Sequence, residues 1–420
     1  MQRTECRAII MAIFAVMTAT PILADSAAAS CSKVIHAFVW LKHPMGNLVR
    51  DAAGNLYGTT FEGAGTGCGG SGCGAVWKLV PSPDGTWMGS TLYVFKGPDG
   101  ANPAAGLIFD AAGNLYGTTS AGGTSTACGP GGCGVVFKLT PNTDGTWSES
   151  VLHNFIGADG GEPQAGLIFD AAGSLYGTAQ SFGPTYNCGV AFKLTQSPDG
   201  TWTESVLHNF SCGPDGGDSD AGVVFDAAGN LYGTTINGGA YGAGVVFKLA
   251  PNPDETWTES VLYSFSYGLG GSFPYHATLI IDAAGNLYGT TPSGGGSSCT
   301  APGFGSGCGV VFKLAPNLDG IWTESVLHTF IGGAEGAVPD AGVVFDAAGN
   351  LYGTTLYGGA DFGVVFKLTS SGWSETVLHT FFGYGRNPDA PVLFDPAGNL
   401  YGTASNGGEP PYGLVLEITP

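Results

Sequence analysis

The chain is short of positive charge and of charge altogether: 13 Lys and Arg stand against 33 Asp and Glu, and charged residues are only 11% of its 420 positions. Loss of a leader over residues 1–24 would remove Glu5, Arg3 and Arg7, leaving 32 acidic and 11 basic residues and a net charge of −21. Such a surface repels phosphate backbones and anionic membranes, which excludes a nucleic-acid partner. Long apolar runs are also missing. Residues 8–17 are apolar but too few to span a bilayer as a stable anchor, and no later transmembrane segment is expected. Between Arg3 and Arg7 on one side and Ile22-Leu23-Ala24 on the other, this run reads as the core of a secretory signal cleaved after Ala24. No stretch after residue 30 has a helical period, and no Ser-His-Asp, zincin or phosphate-loop pattern occurs. Low charge density with 73 glycines suits a compact, exported all-β protein and argues against disorder.

What is present is repetition. The phrase Asp-x-Ala-Gly-Asn/Ser-Leu-Tyr-Gly-Thr begins at Asp51, Asp110, Asp170, Asp226, Asp282, Asp346 and Asp395, 49 to 64 residues apart. Each repeat carries four short β-branched or aromatic runs bounded by Gly, Asp, Asn and Pro, which signal strands and tight turns. The second copy reads Gly106–Asp110, Leu115–Thr119, Val135–Leu139 and Trp147–Phe155. Four strands at this period make a blade, and seven blades make a β-propeller. The last repeat stops after its third strand, while Val34–Phe38 matches Val151–Phe155, so the N-terminal strand is expected to complete the last blade and close the ring. The expected layout is a signal at 1–24, a linker at 25–32 and a closed seven-bladed all-β propeller at 33–420. Its blades span 44–97, 103–157, 163–212, 219–267, 275–332, 339–383, and 388–420 plus 33–39, in a monomer.

Nine cysteines follow the leader. Cys68 and Cys73, Cys128 and Cys133, and Cys299 and Cys308 lie as close pairs in loops between second and third strands. Cys188 precedes a third strand and Cys212 follows a fourth, ends that are neighbours in an antiparallel pair. Four disulfides are expected from the compartment, with a four-cysteine zinc site as the rival for the first two pairs. Cys31 is left over, behind Ala28-Ala29-Ser30. A free thiol, a bridge elsewhere and a lipid anchor all stay open, so the protein is read as secreted or held at the cell surface.

Phe-Asp-Ala-Ala-Gly-Asn-Leu-Tyr-Gly-Thr-Thr, then Gly-Gly, then Gly-Val-Val-Phe-Lys-Leu, resembles the GloVer tandem repeat over essentially the whole chain after the leader. The resemblance implies a bacterial exported or surface propeller and brings no assigned reaction or catalytic residues. More distantly, Asp-x-x-Gly-Asn-Leu-Tyr is similar to propellers of the NHL and gluconolactonase type, some of which hold a divalent metal in the central channel. Asp144-Gly145-Thr146-Trp147 resembles a shortened Asp-box of sialidases. Beyond the leader only Arg50 and Arg386 are arginines, too few for the cluster that clamps a sialidase substrate's carboxylate.

Positions shared by every copy are expected to hold the fold. The phrase Asp should cap its own turn, the Trp of the fourth strand should pack between blades, and the lysines of Val-Phe-Lys-Leu should be solvated or paired. His36, His153, His208, His328 and His379, exchanged for Tyr93 and Tyr263, spread around the rim. The informative position lies six residues before each phrase Asp: Met45, Ala104, Gln164, Asp220, His276, Asp340 and Asp389. Blades four to seven thus bring Asp220, His276, Asp340 and Asp389 to one mouth of the channel, where carboxylates with an imidazole suit a divalent cation (Ca, Mg, Mn or Zn). Wet pore-mouth polar groups are the plainer alternative. Loops on the same face carry Phe182, Tyr186, Tyr241, Phe304, Tyr357, Phe362 and Tyr412, either carbohydrate-stacking surfaces or plugs between loops. The expected function is an exported binding or interaction module for a glycan or surface protein. Its alternatives are a metal-dependent hydrolase or lactonase and a purely structural surface protein.

Overall fold

The computed structural model describes residues 30–296, 299, 304–383 and 385–420, together with the backbone of Thr4–Arg7. The leader's apolar core and the Ala24 cleavage site lie outside these residues. Seven four-stranded antiparallel units form a closed ring, a seven-bladed β-propeller. Blade two shows the plan: Ile108–Phe109 innermost, then Leu115–Thr119, Val135–Pro141 and Trp147–Asn154 outermost. In the last blade Leu393–Phe394, Leu400–Ala404 and Leu414–Thr419 are completed by Ser30–Ala37, with Val34 opposite Leu416. Thr4–Arg7 adds a further strand outside Ser30–Lys33. The closing contact continues in the core, where Ile35 and Phe38 of the N-terminal strand cluster with Trp77 of blade one and Tyr401 and Val415 of blade seven.

Seven apolar clusters lie between neighbouring blades. Each joins the forward face of one blade to the rear face of the next: Tyr57, Val76 and Phe95 of blade one meet Leu115, Phe137 and Leu139 of blade two. The fourth-strand Trp packs edge-on against the phrase Tyr of the preceding blade, Trp147 on Tyr57 at 6.4 Å and Trp87 on Tyr401 at 5.8 Å. The phrase Gly is there to make room. A Cβ on Gly117 would sit 2.7 Å from the ring of Phe137.

The phrase Asp caps its turn in all seven copies. Asp110 Oδ1 accepts from the backbone of Ala112 and Asn114, and its Oδ2 accepts from Asn114 Nδ2 and Tyr116 OH. The repeated lysines are paired through their rings' faces: Lys138 Nζ lies 5.4 Å above Tyr116, and five more copies repeat it. In blade seven Glu417 replaces the lysine and accepts from Tyr401 OH instead.

Two features depart from the simplest blade. The innermost ladder is only two residues long, because the inner ends of neighbouring blades crowd together; a Cβ on Gly106 would meet Asn47 O of blade one at 2.7 Å. Each fourth strand also carries a bulge, as at Leu152, where Val151 faces Phe137 but His153 faces Val136. The extra residue turns the rim His or Tyr to the forward face of its blade, opposite the next blade's Glu149, Glu204, Glu259, Glu324 or Glu375; Gly89 takes that place in blade one.

Disulfides join Cys68 to Cys73, Cys128 to Cys133, Cys188 to Cys212, and Cys299 to Cys308. These pairings leave no thiolates for a zinc site there. Cys31 is disulfide-bonded as well. No helix among the described residues is long and apolar enough to cross a membrane.

Candidate functional site

Alternation of strand direction puts the connections between second and third strands, and those from one blade to the next, on the same face. The latter run into the innermost strands and carry the variable position. Inner strands are held by a repeated bond: the buried Thr118 Oγ1 donates to Ala165 O of the next blade at 3.0 Å, and Thr59, Thr178, Thr290 and Thr354 do the same. These bonds fix the residue following Ala104, Gln164, Asp220, Asp340 and Asp389. The lock is missing before blade five and before blade one, where Thr234 Oγ1 and Thr403 Oγ1 have no partner.

Blade five is irregular there for a reason visible in its spacing. Pro274 stands eight residues before Asp282, whereas Pro339 stands seven before Asp346. The extra residue is taken up locally, with Ala277 N donating to Tyr275 O and Thr278 N to His276 O. His276 then lies between two neighbours. Its Nδ1 donates to Asp340 Oδ2 at 2.8 Å, and its Nε2 lies 3.0 Å from Asp220 Oδ2 in an ion pair with poorer hydrogen-bond alignment. Both carboxylates are buried. Burial disfavours the imidazolium, but the two aspartates outweigh it and hold His276 well above the ordinary histidine range. The ring is therefore the cation of an Asp–His–Asp cluster.

Asp389 completes the group differently. Burial is the main cause that pushes its carboxyl up to about 7, against the opposing effects of Ser405 and His276. Asp220 Oδ1, Asp340 Oδ1 and Asp389 Oδ1 are buried without a hydrogen-bond partner. A cavity of about 320 Å³ opens against this group. It is lined on one side by Asp220, His276 and Asp389 and on the other by Met45, Ala104 and Gln164. Asp340 does not line it and reaches it through the imidazole. The variable position thus surrounds one chamber, acidic on one side and neutral on the other.

The seven loop aromatics divide. Phe304 and Tyr357 pack against the core between blades five and six, Phe362 packs on the next interface beneath Arg386 at 4.6 Å, and Tyr412 packs at the ring closure with Lys42 at 5.4 Å. Phe182 is half-buried where its loop pairs with Cys188. Tyr186 and Tyr241 stand in solvent, 54% and 63% exposed. Trp40, at 80% exposure in the connection from blade seven to blade one, was not singled out by its repeat context, which contains no counterpart.

Comparison with known proteins adds the following. No curated protein matches the chain in sequence. Among solved structures it is similar to the extracellular domain of a candidate hybrid two-component system from B. thetaiotaomicron, at 12% identity and a TM-score of 0.51, over 93% of this chain and 43% of that one. It also matches a candidate 6-phosphogluconolactonase from Bacteroides fragilis (17% identity, TM-score 0.49, 80% of this chain and 85% of that one). A gluconolactonase from Xanthomonas campestris gives 14% identity and a TM-score of 0.41, over 93% and 89%. At these identities the likeness is one of fold. The model of the Gloeobacter/Verrucomicrobia repeat matches residues 123–300 and 297–420, in keeping with the phrase and blade described above, and the chain belongs to that repeat family.

Proposed function

We propose that this chain is an exported binding module that takes a small hydroxyl-rich ligand, the terminal sugar of a glycan, in the channel mouth. The observation that carries this reading is the chamber of about 320 Å³ with unpartnered carboxyl oxygens of Asp220 and Asp389 on its wall. A buried acceptor without a donor costs roughly 1–3 kcal/mol, and sugar hydroxyls are donors that offset it. The volume suits a monosaccharide unit, near the lower end of small-molecule sites at roughly 300–1,000 Å³. Tyr186, Tyr241 and Trp40 on the same face offer exposed rings for neighbouring units. Four disulfides and the leader-like N-terminus support export. The test is a glycan array followed by calorimetry on the hits. Wild type should bind saturably, and Asp220→Asn and Asp389→Asn should each weaken binding at least tenfold. Saturable binding that ignores both substitutions would move the ligand off the mouth, and no binding to any glycan would leave a structural role.

A second reading rests on Asp389. A carboxyl held near 7 can give and take a proton at neutral pH, as a hydrolase or lactonase needs. In this reading a divalent ion (Ca, Mg, Mn or Zn) sits among Asp220, His276, Asp340 and Asp389. Both ring nitrogens of His276 face carboxylates, so such an ion must displace the imidazolium from between them. Elemental analysis of wild type beside a variant with all four residues changed to Ala decides the point. One equivalent more in the wild type than in the variant supports it.

A further inference from the structure

A second group of ligating side chains lies far out on the rim and is independent of the mouth. The fourth-strand bulge turns His153 of blade two and His208 of blade three forward, where each meets an aspartate from its own outgoing loop: His153 Nε2–Asp159 Oδ2 at 3.0 Å and His208 Nε2–Asp215 Oδ2 at 3.2 Å. Tyr93 does the same with Asp99 at 2.6 Å. The aspartates are also fixed to their loops, Asp159 by Ile156 N and Asp99 by Lys96 N. At these interfaces the rim ring has a direct partner, although the facing Glu149, Glu204 and Glu259 each keep one buried Oε1 unpartnered.

The interface between blades five and six is built from the same positions and is not closed. His328 faces Glu375 of blade six with Nε2–Oε2 at 3.9 Å, too long for a hydrogen bond. The loop supplies Glu335, from the short 3-10 turn Gly333–Glu335, in place of an aspartate. One ligand atom from each of His328, Glu335 and Glu375 lies within 4.8 Å of the other two. Glu375 is 8% exposed, and both its Oε1 and His328 Nε2 are buried with no hydrogen-bond partner among the described residues. His153 and His208 have their aspartates; at His328 the nitrogen and a carboxylate confront each other across a gap.

We propose that His328, Glu335 and Glu375 form a divalent-cation site that staples blade five to blade six, taking a borderline first-row ion, zinc or manganese. One imidazole nitrogen with two carboxylates is a donor set for such ions, whereas calcium and magnesium prefer oxygen alone. Ligand bonds of about 2.0–2.2 Å put tetrahedral ligand atoms roughly 3.3–3.6 Å apart, so atoms that now lie within 4.8 Å of one another draw together to hold an ion. The three protein ligands leave a fourth position for water. Burial lowers the imidazole's proton affinity, which keeps the nitrogen free to ligate. Burial first, and the Glu335 charge second, raise the Glu375 carboxyl to about 8, and a bound cation removes both penalties.

The test is equilibrium dialysis of the full chain against Zn²⁺ and, separately, Mn²⁺, with thermal unfolding as second readout. His328→Tyr is a variant the fold accepts, because Tyr93 and Tyr263 hold the same position in other blades. Glu375→Gln keeps the side chain's size. Wild type should bind one equivalent at the rim and gain Tm. Both variants should lose that equivalent and the Tm gain while keeping the wild-type circular dichroism spectrum. The Asp220→Asn/Asp389→Asn double variant should retain them. Equal binding in wild type and both rim variants, binding lost only in the mouth variant, or no saturable binding of either ion would overturn the site.

Discussion

The two ends of the channel-lining strands use the same residue type in opposite ways. At the phrase turns, every Asp is saturated: four donors converge on Asp110, and six further copies repeat the arrangement with small local changes. At the mouth, Asp220, Asp340 and Asp389 keep unpartnered oxygens, and only the fourth, sixth and seventh blades carry an aspartate there. The saturated aspartates have carboxyls held below the ordinary range despite burial, by their hydrogen bonds; Asp389 is held above it because burial dominates. In a ring of copies, a polar group satisfied in every copy is scaffold, and an unpartnered one at a position that varies from blade to blade is a candidate for binding something else.

The largest expected effect tests the scaffold alone. Phe312→Ala empties a fully buried ring that packs on Phe265 of the preceding blade at 5.2 Å, and should cost about 3–5 kcal/mol in denaturant unfolding. A loss below about 1 kcal/mol would mean that the blade interfaces are looser than the packing implies.

The next comparison sets one aspartate against the other. Asp110→Ala strands the Tyr116 hydroxyl and two backbone donors and should cost about 2–3 kcal/mol. Asp389→Asn, measured at pH 8 where the buried carboxyl must be ionised, should leave stability unchanged or raised while weakening ligand. Equal destabilisation by both would erase the distinction between the two ends.

The smallest effect is spread over the rim. Glu149, Glu204, Glu259 and Glu324 are raised mainly by burial to about 7, and Glu375 to about 8, from an ordinary 4.5. These carboxyls bind protons more tightly folded than unfolded. Their contribution is fully present below about pH 4.5 and is lost as the pH rises through 7 to 8. The lowered phrase aspartates act in the other sense, with stability lost as the pH falls through their depressed values. Thermal unfolding should therefore peak in mildly acidic buffer, and Glu204→Gln should flatten the decline toward pH 8. A Tm that rises steadily to pH 8 would contradict the rim assignment.

Much of this was legible in the residues because repetition compares the chain with itself. The blade count, the N-terminal strand's place, the Asp caps, the Trp packing and the four cysteine pairs all depend on local spacing. The mouth residues were also legible, since a position that varies among constant neighbours stands out. Their arrangement was not. The extra residue after Pro274 shows in the spacing, but only the folded ring places His276 between Asp220 and Asp340 and keeps Asp340 off the chamber wall. Four of the loop aromatics proved to be packed plugs, which composition cannot distinguish from exposed platforms.

The sequence by itself determined the period and the strand types, because turn chemistry and side-chain alternation act over a few residues, and it exposed the closure because repetition matches Val34–Phe38 to Val151–Phe155. The tertiary structure alone decided which faces meet. The bulge in each fourth strand changes side-chain parity, and that change has no residue signature of its own. It is what sets His328 against Glu375 across a blade boundary, 47 residues apart in the chain and 3.9 Å apart in space.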